Sequence, residues 1–93
     1  MKATKIKMKA GCGTSNNLLE IDSIYLADAK EPNYYKKAAV HDYVKDNPGN
    51  IYVDISPFPK LIAVISPAPN NEKYVKSKPN ATTTDNLLNL PRE

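Results

Sequence analysis

KYVKSKPNATTTDNLLNLP, residues 73–91, joins a strand-like segment, a polar bridge and a leucine-rich closing turn. Its first five residues alternate in polarity, as in a strand with one buried face. Thr84 or Asp85 can cap the closing turn, and Pro91 ends it. The turn carries three leucines, Leu87, Leu88 and Leu90. Burial of each would contribute roughly 1.5–3 kcal/mol, so we expect this tail to dock on the domain or on a second subunit.

Two further strand signals precede this segment. Residues 51–55 alternate between apolar and polar side chains, which is typical of a half-buried strand. Residues 61–65, LIAVI, are all apolar, which predicts an interior strand covered on both faces. Together with residues 73–77, these segments predict a three-stranded meander.

The middle of the chain contains one amphipathic pattern, over residues 35–46, which ends at Asn47-Pro48-Gly49. A helical wheel gathers Tyr35, Ala39, Val40, Tyr43 and Val44 on one side. The opposite side carries Lys37, His41, Asp42 and Lys45. We therefore expect one helix lying on a sheet, with His41 in solvent.

The N-terminal region predicts two paired strands. Residues 4–9 alternate strictly, with Lys5, Lys7 and Lys9 on one face. Residues 18–26 also alternate, but their phase changes near Ser23, which indicates a bulge or two short strands. The loop between the two segments is too short for a crossover, so the pairing should be antiparallel.

These elements predict an α+β fold. We expect a single small domain over residues 1–93, with an antiparallel sheet of four to five strands in the order ββαβββ. The amphipathic helix should cover one face, and a short helical turn should close the chain. Hydrophobic residues at 41% and charged residues at 25% are near globular averages, which argues against disorder.

The end of the chain carries a resemblance. The strand Tyr74-Val75-Lys76-Ser77, followed by DNLLNLP at residues 85–91, resembles a family of short bacterial and phage proteins described as a domain of unknown function. The family favours arginine where this chain has Lys76. The resemblance implies a fold shared with uncharacterised relatives, and it implies no reaction, ligand or catalytic residue.

The sequence contains few residues that could carry out catalysis. Cys12 and His41 are the only cysteine and histidine, and a histidine in solvent has no group to orient it as a base. The sequence also lacks the paired cysteine and histidine spacings of a zinc site. The Gly11–Gly13 loop is better explained as a hairpin loop than as a phosphate-binding loop. Glu20, Asp22 and Asp54 offer a weak hydrolase alternative. We expect no enzyme activity, catalytic residue, metal or cofactor.

The basic residues near the N-terminus are the best candidate for a binding site. Lys5, Lys7 and Lys9 share a face, with Lys2 just ahead, and the net charge is +3. Same-face residues of a strand recur every ~6.6 Å, close to two phosphate steps of ~3.4 Å, so these lysines could follow a nucleic acid backbone. Lysines also protect exposed edge strands from pairing. Because no aromatic residue is interleaved with them, edge protection is the favoured explanation.

The sequence thus predicts a non-catalytic binding or accessory protein with an unknown protein partner. Candidate contact or docking residues are Tyr34, Phe58, Leu87, Leu88 and Leu90. A homo-oligomer could form through the leucines or through an uncovered sheet edge. Nucleic-acid binding through Lys2, Lys5, Lys7 and Lys9 is the alternative. A lone cysteine and apolar runs of at most five residues predict a cytoplasmic protein that does not enter the membrane.

Overall fold

The computed structural model describes residues 1–55, 58–78 and 86–92, except for the side chain of Asn86. Within these ranges the chain forms six strands, one α-helix and two 3₁₀ turns. The strands are β1 (Lys2–Met8), β2 (Ile21–Leu26), β3 (Asn33–Lys36), β4 (Tyr52–Val53), β5 (Leu61–Ile65) and β6 (Lys73–Ser77). The helix α1 spans Lys37–Asp46, and the 3₁₀ turns span Leu18–Glu20 and Asn86–Asn89. The predicted α+β class is confirmed.

Four strands form a mixed sheet in the order β3-β2-β1-β4. β1 and β2 pair antiparallel as expected, with irregular register between Ala3 and Lys5 and between Lys7 and Met8. The expectation of a purely antiparallel sheet needs correction, because β4 runs parallel to β1. The parallel pairing arises because β2, β3 and α1 separate the two strands along the chain, and α1 can serve as the crossover. Among the described residues, β4 pairs on this side only with Lys2 and Ala3, and the C-terminal tail follows it, bridging Ile6 through Arg92. β1 therefore has a neighbour on each side, so its lysines do not protect an edge strand.

The strands β5 and β6 form a separate antiparallel hairpin, and α1 packs against it. A bridge between Tyr52 and Lys60 joins the hairpin to β4, next to a hydrogen bond of 2.9 Å from the Leu61 amide to the Ile51 carbonyl. The expected meander is thus reduced to one hairpin and this bridge. The expectation that β5 is covered on both faces is wrong, because Ile62 and Ile65 are exposed.

The helix begins two residues later than expected because Asn33–Lys36 continues the sheet as β3. Its buried side consists of Lys37, Val40, His41 and Val44, at i, i+3, i+4 and i+7. The expectation that His41 and Lys37 face solvent is therefore wrong, and Ala39 is exposed instead. The two buried polar side chains are tolerated because each has a hydrogen-bonding partner nearer the surface, Glu72 for Lys37 and Asp42 for His41.

The C-terminal tail docks on its own domain. Leu87 is completely buried, and Leu88 and Leu90 are nearly so. The Ile6 amide donates to the Pro91 carbonyl over 2.9 Å, so the tail also lies along β1. The Arg92 guanidinium donates to three carbonyls, those of Gly13, Ser15 and Leu88. The alternative of docking on a second subunit is not what the structure shows. The expected caps Thr84 and Asp85 lie outside the described residues.

The buried core joins both sheets, the helix and the tail. It lies on the inner face of the mixed sheet, where Ile6 and Ile24 are opposed across β1 and β2 and are fully buried. Val75 from the hairpin, Val40 from α1 and Leu87 from the tail belong to the same cluster. Because all of these elements meet on the inner face, the outer face of the mixed sheet carries the polar alternates. No helix in the described part of the chain has the length and apolar content needed to cross a bilayer.

Candidate binding face

The outer face of the mixed sheet brings lysines and tyrosines together. Lys5 and Lys7 project from β1 on the side opposite the buried Ile6. The sheet register places Lys5 opposite Tyr25 of β2, and Tyr25 opposite Tyr34 of β3. Side chains that are directly opposed in an antiparallel pair lie on the same face. The outer face therefore carries a basic strand beside an aromatic pair.

The side chains on this face are in contact. The Lys5 ammonium lies 5.3 Å from the centre of the Tyr25 ring, and the Lys7 ammonium lies 6.0 Å from the centre of the Tyr34 ring. The two rings meet edge to face, with centroids 5.1 Å apart and an interplanar angle of 70°. Both distances from lysine to ring are within the range of cation–π attraction. We call Lys5, Lys7, Tyr25 and Tyr34 the outer cluster.

A third lysine borders the outer cluster. The Lys36 ammonium lies 3.0 and 2.9 Å from the two carboxylate oxygens of Asp22, and the Ser23 hydroxyl donates to the same carboxylate over 3.0 Å. Hydrogen bonding from Lys36 lowers the pKa of Asp22 below its ordinary value, so this carboxylate stays charged at neutral pH. The ion pair offsets the charge of Lys36, and Lys7 also contributes to the lowered pKa of Asp22 through charge attraction.

The other two expected lysines lie elsewhere. Lys2 is the first residue of β1, where it pairs with Tyr52 of β4, and its backbone amide donates to the Asp28 carboxylate over 2.7 Å. The Lys9 ammonium lies 3.1 Å from Glu72, beyond the end of β1. The predicted ladder of Lys2, Lys5, Lys7 and Lys9 is therefore divided, because the strand ends at Met8 and Lys9 turns toward the hairpin.

Glu72 joins Lys9 to the buried end of α1. The Lys37 ammonium lies 2.6 Å from the same carboxylate oxygen and also donates to the Leu19 carbonyl over 2.6 Å. The bond from Lys37 lowers the pKa of Glu72, and the bond to Glu72 raises the pKa of Lys9. Burial lowers the pKa of Lys37. This cluster fixes the helix to the hairpin and the 3₁₀ turn, so its charges are engaged within the fold.

Cys12 and His41 have separate partners. The Cys12 thiol donates to Glu20 over 2.7 Å, and this bond raises the pKa of the thiol, which disfavours the reactive thiolate. His41 is 3% exposed, and its Nδ1 lies 3.1 Å from an Asp42 carboxylate oxygen. Hydrogen bonding from His41 lowers the pKa of Asp42. Among the described residues, no three His, Cys, Asp or Glu side chains are grouped as metal ligands would be.

The expected contact residues divide into three environments. Tyr34 is half-buried in the outer cluster, where it contacts Tyr25. Phe58 is 53% exposed and meets Tyr52 edge to face at 6.2 Å. The three leucines, Leu87, Leu88 and Leu90, are core residues and cannot contact a partner without undocking. Sequence patterns identified Tyr34 but not Tyr25, whose position in the cluster depends on the pairing of β1 with β2.

A cleft of about 400 Å³ lies between α1 and the turn that follows β2. Its walls are mainly apolar and include Leu26, Tyr35, Val40 and Tyr43. Among the described residues, Lys30 is the one lining residue with a charged side chain, so this lining does not show the paired acid and base groups that hydrolysis requires. This cleft does not support the hydrolase alternative.

Comparison with known proteins identifies one family. The model of the family described as "Protein of unknown function (DUF3892)" matches residues 2–91. The match covers all six strands, the helix and the closing turn. No curated protein and no solved structure matches the chain.

Proposed function

The chain belongs to the DUF3892 family, whose description assigns no activity, and from its outer face we propose a non-catalytic module that binds single-stranded nucleic acid. The proposal rests on the outer cluster: two lysines of β1, one over a tyrosine of the adjacent strand β2 and the other over a tyrosine of β3, the next strand in the sheet. Lysines supply the charge that attracts phosphates, and tyrosine rings supply surfaces on which bases stack.

The spacing of the outer cluster supports this proposal. Lys5 and Lys7 are two residues apart on one strand, which separates them by ~6.6 Å, close to two phosphate steps of ~3.4 Å. Adjacent strands are ~4.8 Å apart, so Tyr25 of β2 lies one strand spacing from β1 and Tyr34 of β3 lies two. Both tyrosines therefore lie on the same side of the path that the lysines define. A single strand whose phosphates contact β1 would direct its bases toward Tyr25 and Tyr34. A duplex, whose bases are already stacked, could use the lysines alone.

The position of β1 removes the simplest alternative for these lysines. Protection of an edge would require a strand with an unpaired side. Between Lys5 and Lys7, β1 is paired with β2 on one side and bridged to the C-terminal tail at Ile6 on the other. The aromatic residues that β1 itself lacks are supplied by β2 and β3. The two arguments that the sequence offered against nucleic-acid contact, edge protection and the lack of aromatic residues among the lysines, therefore no longer apply.

The proposed absence of catalysis rests on the environments of the candidate groups. The Cys12 thiol is hydrogen-bonded to a carboxylate, and the buried His41 ring is hydrogen-bonded to the exposed carboxylate of Asp42. Nucleophilic catalysis requires a thiolate and a base that act on each other, whereas these two groups have different partners. We also propose a cytoplasmic setting, which suits a single unpaired thiol, and a bacterial or phage origin, which the resemblance implies.

Fluorescence anisotropy with labelled oligonucleotides tests the proposal. Single-stranded DNA or RNA should bind more tightly than duplex DNA of the same length, and its affinity should fall as salt rises. Each phosphate contact contributes about 0.7 to the slope of log K against log salt for a single strand. Replacement of both Lys5 and Lys7 by alanine should therefore reduce the slope by about 1.4.

A charge-matched control separates the outer face from a general loss of positive charge. The double variant Lys30→Ala, Lys45→Ala removes the same charge from two exposed lysines elsewhere on the surface and should leave the slope nearly unchanged. Tyr25→Leu should weaken single-strand binding by about 1–3 kcal/mol through lost stacking, with little change in slope. Failure to bind at low salt, or equal weakening by the control, would refute the proposal.

A further inference from the structure

The outer edge of β5 has exposed hydrogen-bonding groups. The Lys78 amide donates to the Lys60 carbonyl, and the Ser66 amide donates to the Glu72 carbonyl, so the even-numbered residues of this segment face β6. The backbone groups of the odd-numbered residues face away from β6 because the direction alternates along a strand. The Leu61 amide on that side is bonded to Ile51. Among the described backbone groups, none bonds to Ala63 or Ile65 there.

The side chains along this edge are apolar and accessible. Ile65 is 53% exposed, Ile62 is 36% exposed, and Val64 is half-buried. No charged residue lies between Lys60 and Glu72. Natural proteins usually protect an exposed edge strand with charge, proline or a bulge, and β5 has none of these within Leu61–Ile65. This strand therefore has the properties of an interface.

We propose that β5 pairs antiparallel with β5 of a second copy of this chain, with Val64 on the two-fold axis. This register places Ala63 opposite Ile65 of the second copy, and Ile65 opposite Ala63. Both positions are hydrogen-bonded pairs, so all four outward donors of the two copies meet outward acceptors. The result is a four-stranded sheet in the order β6-β5-β5-β6. It lies apart from the outer cluster and is independent of the proposed nucleic-acid binding.

Complementarity favours a second copy as the occupant of this edge. The two-fold register brings Val64 against Val64. Lys60 lies outside the paired segment, because Tyr52 of its own chain already occupies the position beside it, so no charge enters the pairing. A two-fold interface uses the same patch on both copies, so an uncharged strand can pair with itself without repulsion. The leucines of the tail, the other oligomerisation surface expected from the sequence, are buried in their own domain.

Sedimentation velocity over a wide range of chain concentration tests the proposal. The wild-type chain should reach twice the mass of one chain as concentration rises. Val64→Lys should remain a single chain at every concentration, because two ammonium groups would face each other on the axis. Ala38→Lys, an exposed helix position, adds the same charge elsewhere and should dimerise as the wild type does. A wild-type chain that never exceeds one chain in mass, or a Val64→Lys variant that still dimerises, overturns the proposal.

A charge-pairing experiment distinguishes an interface from damage to the fold. Val64→Lys and Val64→Glu should each be monomeric alone, and an equimolar mixture should recover the dimer because opposite charges then meet on the axis. Ala63→Pro removes an amide that faces away from β6, so it should abolish the dimer while the far-UV circular dichroism of the hairpin is retained. A mixture that stays monomeric, or an Ala63→Pro chain that dimerises fully, contradicts the register.

Discussion

Replacement of Leu87 by alanine should cause a large loss of stability. The side chain is fully buried in the core cluster, although it belongs to a 3₁₀ turn near the end of the chain. Truncation of a buried leucine costs about 2–5 kcal/mol through lost transfer energy and the cavity left behind. A domain of 93 residues has a total stability of roughly 5–14 kcal/mol. One substitution near the end of the chain should therefore remove a substantial part of the stability.

Thermal unfolding followed by circular dichroism measures this loss. For a domain of this size, 1 kcal/mol corresponds to about 4–8 °C in Tm, so a loss of ~3 kcal/mol should lower Tm by about 12–24 °C. Asn89→Ala is the matched control, because Asn89 is exposed in the same turn and its replacement should change stability by no more than about 0.5 kcal/mol. Because the tail docks within its own chain, the loss should be the same at low and high concentration. A Leu87→Ala variant as stable as the control would show that the tail does not contribute to the core.

Two other predictions concern the charged cluster at Glu72. Lys37→Met should lower the free energy of unfolding in urea by about 1–3 kcal/mol, because the Leu19 carbonyl loses its donor and Glu72 loses its nearest cation. Lys45→Met, on the exposed side of the same helix, is the control and should have little effect on stability. An unchanged or higher stability for Lys37→Met would contradict the prediction, because it would show that burying the ammonium costs at least as much as its hydrogen bonds contribute. The folded-state pKa of Glu72 is lowered, so its contribution to stability is complete above the unfolded value near pH ~4.3 and is lost as pH falls through the folded value. Urea denaturation between about pH 6 and pH 2 should therefore show a decline that is shallower in Glu72→Gln, and parallel declines would exclude Glu72 as a cause.

Alternation and turn residues were sufficient to predict several elements. The strict period of two in β1, the position of the hairpin strands and the stop at Asn47-Pro48-Gly49 are local signals, and the structure contains each feature. The burial of Leu87, Leu88 and Leu90 was also predictable, because three leucines in four residues are costly to leave in water. The sequence could not predict whether these leucines dock within their own chain or on a second subunit, because either site would remove the same apolar area from water.

The outer cluster illustrates what sequence patterns could not supply. Tyr25 and Tyr34 are far from Lys5 and Lys7 along the chain, and they lie beside them only because β2 and β3 pair in a particular register. A shift of that register by one residue would turn the tyrosines to the other face. Parallel pairing with β4 at Lys2 and Ala3, and the bridge from Ile6 to Arg92 of the tail, likewise made β1 an interior strand, which changed the explanation of its lysines.

The sequence by itself determined the α+β class, the approximate positions of the strands and helix, and the apolar character of the tail, because periodicity and turn chemistry act between near neighbours. Tertiary structure decided which side of α1 is buried. The helical wheel placed Lys37 and His41 in solvent, yet both side chains are buried. Lys37 bonds to Glu72, which is distant in sequence, and His41 bonds to its neighbour Asp42. Tertiary structure also decided which lysines share a face with tyrosines and that β5 has an open edge. These properties depend on contacts between segments far apart in sequence, and local alternation carries no information about such contacts.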